Sequence, residues 1–226
     1  MGSKEQIKKY ANMVDHTNLK PYITNTDWHI LCRQAMDYGF KTVAINNAGI
    51  VVCSDYLKDS SVLVDAAVSF PLGQCTLDTK VYETQDAIAK GAGEVDYVIN
   101  ISELKNGNWA YIEEEMKQIV AVCNEYDVTS KVIFENCYLK DDEKKKLCEI
   151  AVKVKPTFIK TSTGFGAGGA TLADVRLMKA CVGDEIKIKA AGGVRSAEQF
   201  LAMVEAGANR IGTSSGMKII DEMMAQ

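Results

Sequence analysis

A lysine stands at the end of a short apolar run, where its amine could act as a nucleophile. Thr157, Phe158 and Ile159 are β-branched or aromatic, and Lys160 is followed by hydroxyl residues and four glycines within 161–169. This pattern predicts a strand that ends in an open polar loop. An amine buried there beside another cation has a lowered pKa, which favours attack on a carbonyl carbon. A lysine that snorkels from a strand edge is the alternative.

Two further lysines recur with the spacing of one β/α unit. Lys160 follows Lys131 by 29 residues and precedes Lys189 by 29 residues, and each lies in a short apolar run. If the units are equivalent, the three lysines occupy similar heights on successive parallel strands. Asp96, in the run 94–100, holds the same kind of position one unit earlier. We therefore predict that three amines and one carboxylate converge at one end of a sheet.

These side chains have distinct predicted roles. A second cation close to Lys160 disfavours its protonation, and Lys189 can be that cation. Asp96 is the acid best placed to shuttle protons, because a buried carboxylate near amines suits general acid–base chemistry. The alternative is a buried ion network in which the lysines pair with Asp15, Asp96 or Glu135. The two interpretations are compatible.

Three other polar residues are weaker candidates. Two-residue periodicity puts Lys187 on the same strand face as Lys189, and we place it lower, near the start of the strand. His16 and His29 are too isolated to indicate a metal site or a catalytic triad, and His29 is expected on a helix surface. We therefore expect no metal.

Two glycine-containing loops follow the last two predicted strands, at 191–196 and 212–216. Each precedes a predicted helix. Backbone N–H groups at glycines and helix N-termini, together with small hydroxyls, bind phosphate, and barrels often bind phosphate in these two loops. One glycine loop alone would be weak support, since glycine closes turns everywhere. Two loops in the expected places predict a phosphate site.

The composition favours a globular protein that acts on small molecules. Of 226 residues, 47% are hydrophobic and 25% charged, which is ample material for one core. The net charge of −4 gives no electrostatic signature of nucleic acid or anionic membrane partners. Seven scattered cysteines without a C-x-x-C pair argue against disulfide or zinc frameworks. With no signal-peptide or membrane-spanning pattern, we expect a cytoplasmic protein.

Alternating strand and helix patterns predict the fold. Eight strands alternate with eight helices without a linker, which predicts that residues 1–226 form a single α/β domain, a (β/α)₈ TIM barrel preceded by a short helix over 4–10. A doubly wound sheet is the alternative, but no G-x-G-x-x-G follows the first strand. The helix 109–126 carries Glu113, Glu114 and Glu115, which we interpret as a solvated face. The predicted strands are 12–17, 41–46, 62–68, 95–100, 131–135, 158–161, 186–190 and 210–212.

The functional groups of such a barrel collect at the carboxyl ends of its strands. We expect this location for a set of five polar residues: Asp15, Asn46, Asp96, Lys160 and Lys189.

Six motifs, spread over essentially the whole chain, resemble those of the deoxyribose-phosphate aldolase family, the DeoC family of class I aldolases. They are VDHTNLK (14–20), GEVDYVIN (93–100), KVIFENCYL (131–139), FIKTSTGFGAGGAT (158–171), IKAAGGVR (188–195) and RIGTSSG (210–216). The resemblance implies reversible cleavage of 2-deoxy-D-ribose 5-phosphate to acetaldehyde and glyceraldehyde 3-phosphate, without a cofactor. A Schiff-base aldolase or transaldolase for another phosphorylated sugar is the alternative. A sugar-phosphate sensor would leave the lysine cluster without a purpose.

The resemblance also implies roles for individual residues. Lys160 matches the Schiff-base lysine, Lys189 the lysine that tunes it, and Asp96 the proton-relaying acid. Supporting positions of the polar network are Asp15, Lys131 and Thr17, and the phosphate-binding positions are Gly164, Gly192, Gly193, Gly212, Ser214 and Ser215. A homodimer is a hypothesis, because the sequence does not fix the oligomeric state.

Three positions depart from the family pattern. After strand two, relatives commonly carry an apolar run ending in proline, whereas this chain has Asn46-Asn47-Ala48-Gly49. Asn136 stands where a small or hydroxyl residue is usual, and Lys187 where a smaller residue is common. Because the strand-two segment is expected close to the substrate carbons, its change bears on acceptor preference more than on reaction type.

Overall fold

A computed structural model describes residues 4–225 and contains eight parallel strands closed into a barrel in chain order. The predicted (β/α)₈ TIM barrel is confirmed. Most strand boundaries differ from the predicted ones by one or two residues. The strands are β1 (Val14–Asn18), β2 (Thr42–Asn46), β3 (Leu63–Val68), β4 (Glu94–Val98), β5 (Thr129–Ile133), β6 (Phe158–Lys160), β7 (Lys187–Ala191) and β8 (Arg210–Thr213).

Ten α-helices accompany the strands in the described range. The predicted short N-terminal helix is α1, and α5 is a one-turn insertion between β4 and α6 that the sequence did not indicate. Several helices are capped at one or both ends. Helix α2, for example, starts at a capping box between Thr24 and Asp27 and is followed by the C-cap residue Gly39. The helices are α1 (Lys4–Ala11), α2 (Asn25–Tyr38), α3 (Ile50–Leu57), α4 (Leu77–Ala89), α5 (Ile101–Lys105), α6 (Trp109–Glu125), α7 (Asp141–Val154), α8 (Leu172–Val182), α9 (Ala197–Glu205) and α10 (Gly216–Met224).

The two faces of the barrel strands differ in chemistry. Residues that face the helices are apolar and belong to one continuous buried core, as Val43, Val95 and Ile188 illustrate. The residues between them point into the barrel, because side chains alternate along a strand. Many of these interior residues are charged: Asp15, Asp65, Glu94, Asp96, Lys131, Lys160, Lys189 and Arg210. The barrel interior therefore contains an ion network instead of a purely apolar core.

Strand register corrects the predicted heights of the lysines. Lys160 pairs with Lys189, as the 29-residue spacing predicts, but Lys131 pairs with Phe158 and Asp96 instead of with Lys160. Lys131 thus lies two residues closer to the start of its strand. The reason is that unit length in sequence does not fix the stagger between neighbouring strands of a tilted barrel.

The expected location of five polar residues at the carboxyl ends of the strands is wrong in part. Lys160 and Asn46 are the last residues of β6 and β2, as predicted. Asp15 is the second residue of β1, and Asp96 and Lys189 are central in β4 and β7. These three side chains lie deeper in the barrel.

The interpretation of 113–115 as a solvated face is also wrong for one residue. Glu115 is fully buried and its Oε1 lies 2.6 Å from the Nζ of Lys80, which is also fully buried. Its Oε2 accepts a hydrogen bond from the backbone N–H of Asn100, and Lys80 donates to the carbonyl of Val98. The pair therefore ties α4 and α6 to the end of β4. No helix within residues 4–225 has the length and apolar character needed to cross a membrane.

Candidate active site

A cavity of about 650 Å³ opens at the carboxyl end of the barrel. Loops that follow β1, β3, β6, β7 and β8 form its wall. Lys160 and Asp96 reach it from below, and the rings of Phe70 and Phe165, which meet edge to face at 5.5 Å between centroids, form one side. The site therefore combines a charged base with a partly apolar wall.

Lys160 is the network lysine that reaches this cavity. Its side chain is only 6% exposed, and Nζ lies 2.5 Å from Oδ2 of Asp96 and 5.9 Å from the centroid of the Phe70 ring. Neither Lys131 nor Lys189 lines the cavity. Burial lowers the pKa of the Lys160 amine; Asp96 opposes this effect, and the charge of Lys189 adds to it. The neutral, nucleophilic form is thus favoured relative to an ordinary lysine.

All three lysines meet at Asp96. Its Oδ2 lies 2.6 Å from the Nζ of Lys189, in addition to the contact with Lys160, and its Oδ1 lies 2.8 Å from the Nζ of Lys131. Burial alone would raise the pKa of Asp96, but the three cations together hold it well below its usual range. The predicted convergence of three amines and one carboxylate is present, and in this state the carboxyl is ionised.

Lys131 and Lys189 remain cationic although they are fully buried. Burial would lower the pKa of Lys189, but Asp15, Asp65 and Asp96 raise it above its usual value. The pKa of Lys131 is raised for the same kind of reason. The pKa of Lys160 is lowered instead, because its amine makes one carboxylate contact within 4.0 Å, whereas the amines of Lys131 and Lys189 each make three.

Sequence reasoning missed three members of the network: Asp65, Glu94 and Arg210. Asp65 lies 2.8 Å from both Lys131 and Lys189. Burial and the neighbouring Asp96 raise its pKa to about 6 against the opposing effect of the two lysines. The signal that could have revealed Asp65 is local, because an aspartate in the otherwise apolar run VLVDAAV needs a buried partner.

Arg210 and Glu94 close the lower end of the network. The Nη1 of Arg210 lies 2.7 Å from Asp15 and 2.9 Å from Glu94, and Asp15 in turn lies 2.6 Å from Lys189. Four carboxylates thus face four cationic side chains inside the barrel. Carboxylate oxygens of Asp15, Asp65 and Glu94 lie close enough together to share a metal ion, but lysine and arginine groups already contact each of them.

The predicted phosphate loops lie across the cavity mouth. Gly164, Gly192, Gly193, Gly212 and Ser214 all line the cavity together with Lys160, whereas Ser215 does not. Ser215 instead precedes α10 and donates its backbone N–H to Thr213 Oγ1. Of the two serines predicted to bind phosphate, only Ser214 therefore faces the cavity.

Glycine is required where these loops touch. Gly192 has a φ of +85°, and a Cβ at Gly169 would lie 2.2 Å from the carbonyl oxygen of Gly192. At Gly212 a Cβ would lie 3.2 Å from Cε of Lys189. The first requirement lets two loops meet at the cavity, and the second leaves room for a network lysine.

The remaining predicted residues lie near the cavity without joining the ion network. Thr17 lines the cavity, and its hydroxyl donates to the backbone carbonyl of Asp15. Asn46 and Asn47 do not line it; their amides bond to the carbonyl of Leu19 and to Glu83. The departure from the family pattern after strand two therefore braces neighbouring segments, and the nearest cavity wall from β2 comes from Ala44 and Ile45.

Two residues outside the predicted set complete the description. Lys187 is exposed at the first position of β7, as expected. His16 also lines the cavity, where its Nε2 lies 2.9 Å from the side-chain oxygen of Gln34 and burial lowers its pKa.

Known proteins are similar to this chain in both sequence and fold. Residues 9–221 match the family described as DeoC/LacD family aldolase. The chain is 55% identical to a deoxyribose-phosphate aldolase of Lactobacillus acidophilus, covering 96% of this chain and 91% of that protein. It is 49% identical to one of Thermococcus gammatolerans, covering 93% and 95%. The solved deoxyribose phosphate aldolase of Aeropyrum pernix, described as tetrameric, superimposes with a TM-score of 0.91 at 29% identity, covering 98% and 93%.

Proposed function

Because the chain belongs to the DeoC/LacD family of aldolases, we propose that it is a class I aldolase that cleaves 2-deoxy-D-ribose 5-phosphate reversibly to acetaldehyde and D-glyceraldehyde 3-phosphate. Relatives that match it over more than nine-tenths of both chains are deoxyribose-phosphate aldolases. The observation that carries the mechanism is the buried amine of Lys160 at the base of the cavity, beside Asp96 and the charged Lys189.

The proposed covalent step uses the neutral form of Lys160. Its amine attacks the C1 carbonyl of the open-chain sugar, and loss of water leaves an iminium ion. This cation withdraws electrons from the C2–C3 bond, which breaks when a base removes the proton of the 3-hydroxyl. Glyceraldehyde 3-phosphate leaves, and the enamine that remains takes up a proton at C2. Hydrolysis of the iminium then releases acetaldehyde and restores the amine.

Asp96 is the proposed acid–base group for these proton transfers. Its Oδ2 bridges Lys160 and Lys189, so it can relay protons between the amine and a water molecule in the cavity. Lys189 is proposed to stay cationic, which disfavours protonation of Lys160 and stabilises the ionised Asp96. Asp15 and Lys131 are proposed to hold these two groups in position.

The phosphate of the substrate is proposed to bind the loops after β7 and β8. Backbone N–H groups of Gly193 and Ser214 have no hydrogen-bond acceptor within residues 4–225, and both residues line the cavity. The N-terminus of α10 adds a favourable dipole for an anion. A phosphate held there leaves the remaining carbons of the sugar to extend across the cavity towards Lys160.

Reductive trapping tests the covalent step. With acetaldehyde and borohydride, we expect one two-carbon unit on Lys160 by peptide mass mapping, and Lys160→Met abolishes it while the far-ultraviolet circular dichroism is unchanged. Lys20→Met is the matched control, since Lys20 also lines the cavity but lies outside the ion network, and this variant keeps the adduct. An adduct on Lys189, or one that survives Lys160→Met, contradicts the proposal.

Three broader features are proposed with it. Residues 1–226 are taken as a single domain, supported by one closed barrel over most of the chain. The cytoplasm is the proposed location, supported by seven free cysteines, four of them buried, which suit a reducing compartment. A homodimer is the proposed assembly; the tetrameric relative from Aeropyrum pernix shows that similar chains self-associate.

A further inference from the structure

A second concave site lies at the opposite end of the barrel from Lys160. It has a volume of about 500 Å³ and is formed by α1, the segment that joins α1 to β1, and the first residues of β6, β7 and β8. We call it the basic pocket, after the residues Lys9, Lys41, Lys187 and Arg210 that line it together with Phe158 and Asn209. None of the proposed aldolase steps uses these residues.

The charge of this pocket is unusual for the molecule. Four cationic side chains line it and no aspartate or glutamate does, although the chain as a whole has a net charge of −4. Within the described part of the chain, Lys9, Lys41 and Lys187 have no ion-pair partner, whereas Arg210 is matched by Asp15 and Glu94. Three positive charges therefore face one cavity without compensation, an arrangement that attracts anions.

The pocket floor holds its cations in place. The guanidinium of Arg210 lies 5.1 Å and the Nζ of Lys187 lies 5.6 Å from the centroid of the Phe158 ring. Asn209 commits its side-chain oxygen to the backbone N–H of Ile188, which leaves its amide N–H groups as donors. Fixed donors and cations of this kind suit an anion with several oxygen atoms.

The aromatic residues limit the size of that anion. Arg210 and Lys187 already contact the Phe158 ring, and Tyr10 packs edge to face against Phe200 at 5.7 Å between centroids. Both rings are therefore already engaged by neighbouring side chains of the protein. A compact anion matches the pocket better than a nucleotide does.

We propose that the basic pocket is a binding site for a small phosphate-class anion that carries two or more negative charges. Three uncompensated lysines match the charge of a diphosphate or a phosphomonoester, and lysine is an established phosphate ligand. This site is separate from the substrate phosphate loops and does not depend on the proposed aldolase reaction. It also assigns a role to Lys187, which departs from the family pattern.

Nuclear magnetic resonance of the full-length chain can test the proposal. Inorganic diphosphate is titrated at constant ionic strength, with sodium chloride as the reference titration. We expect saturable shifts of the backbone amides of Lys41 and Asn209, with their own dissociation constant, besides shifts of Gly193 and Ser214 at the cavity loops. If only the loop amides respond, or if chloride produces the same shifts, the proposal is wrong.

Reversing the charge of Lys187 tests whether this residue of the basic pocket binds the anion. Lys187→Glu should raise the dissociation constant measured at the amides of Lys41 and Asn209 at least about tenfold, because an attractive charge close to the anion becomes repulsive. The response of Gly193 and Ser214 is retained, which also verifies that the variant is folded. Lys58→Glu makes the same charge change at an exposed lysine away from the pocket and leaves both responses intact. If the dissociation constant of diphosphate measured at the pocket amides is the same in Lys187→Glu as in the parent protein, the proposal is overturned.

Discussion

The proposed Schiff-base lysine, Lys160, owes its lowered pKa to burial and to charged, buried neighbours. Lys160 contacts one carboxylate, Asp96, which Lys189 and Lys131 also contact. Because the negative charge of Asp96 is shared among three amines, its stabilisation of the Lys160 ammonium is weaker than that of an undivided ion pair. Burial and the charge of Lys189 both lower the pKa of Lys160. Reactivity at this position is therefore a property of the network.

The variant Lys189→Met tests this dependence. Removing the neighbouring cation raises the pKa of Lys160, so the pH–rate profile should move to higher pH, with low activity at neutral pH and partial recovery in alkali. Each unit by which the pKa rises reduces the free-amine fraction at neutral pH about tenfold. The measurement is kcat/KM for deoxyribose 5-phosphate across pH.

Lys131→Met is the matched control for that experiment. It also removes a buried cation beside Asp96, but Lys131, unlike Lys189, is not among the main causes of the lowered pKa of Lys160. We expect a smaller movement of its profile. Equal movement in both variants would mean that general loss of network charge, and not the proximity of Lys189, controls the amine.

At the scale of elements, the loops after β7 and β8 link the sheet to the proposed phosphate site. β8 ends at Thr213 and α10 begins at Gly216, so Ser214 lies at the cavity mouth directly before the helix. Glycine contacts let the loops after β6 and β7 approach each other closely beside the cavity. Because only two residues connect β8 to α10, Ser214 lies at the cavity, whereas Ser215 lies at the start of the helix.

The variant Ser214→Glu tests phosphate recognition at this helix terminus. A carboxylate at Ser214 repels the phosphate, so KM for the phosphorylated sugar should rise, with much less effect on unphosphorylated deoxyribose. The side chain is exposed, and a negative charge at a helix N-terminus favours the helix, so unfolding does not explain such a result. Equal losses on both substrates would count against the phosphate assignment.

At the scale of the whole molecule, the barrel is stabilised by an apolar layer outside the sheet and an ion network inside it. Burying ions is costly, and removing one partner of a buried pair typically costs about 3–5 kcal/mol. Asp15 contributes to stability through Lys189 and Arg210, since these cations lower its pKa despite the opposing effect of burial. Stability should therefore depend on pH.

Acid should destabilise the protein from about pH 4 downwards. A carboxyl with a lower pKa in the folded state than in the unfolded chain stabilises the fold above the unfolded pKa of about 4, and this contribution is lost as pH falls. Asp15 and Asp96 are of this kind. Asp65, whose pKa is raised to about 6, destabilises the fold when it ionises, and this contribution changes between about pH 4 and 6. That range lies above the pH values of the unfolding experiment.

The measurement is urea unfolding at several pH values below 4. The free energy of unfolding of the parent protein should fall by about 1.4 kcal/mol for each unit of pKa depression that is titrated. Asp15→Asn should show a shallower fall, because one depressed carboxyl is removed, while exposed Asp142→Asn follows the parent. A slope in Asp15→Asn as steep as that of the parent would exclude this role for Asp15.

The sequence by itself determined the features that depend on neighbours along the chain. Regular alternation of strands and helices predicted the barrel, because each unit must bury an apolar strand under its own helix. The change at Lys160 from an apolar run to a glycine-rich loop likewise placed a lysine at a strand end. The glycine loops after β7 and β8 were predictable for the same local reason.

Only the tertiary structure decided which charged groups meet across the barrel. The stagger between strands lowered Lys131 relative to Lys160, and closure of the sheet brought Arg210 of β8 to Glu94 of β4, 116 residues apart. The burial of Glu115 depended in the same way on where α6 packs. Such contacts depend on register, tilt and packing between elements distant in sequence, which set the distances and the burial that determine each pKa.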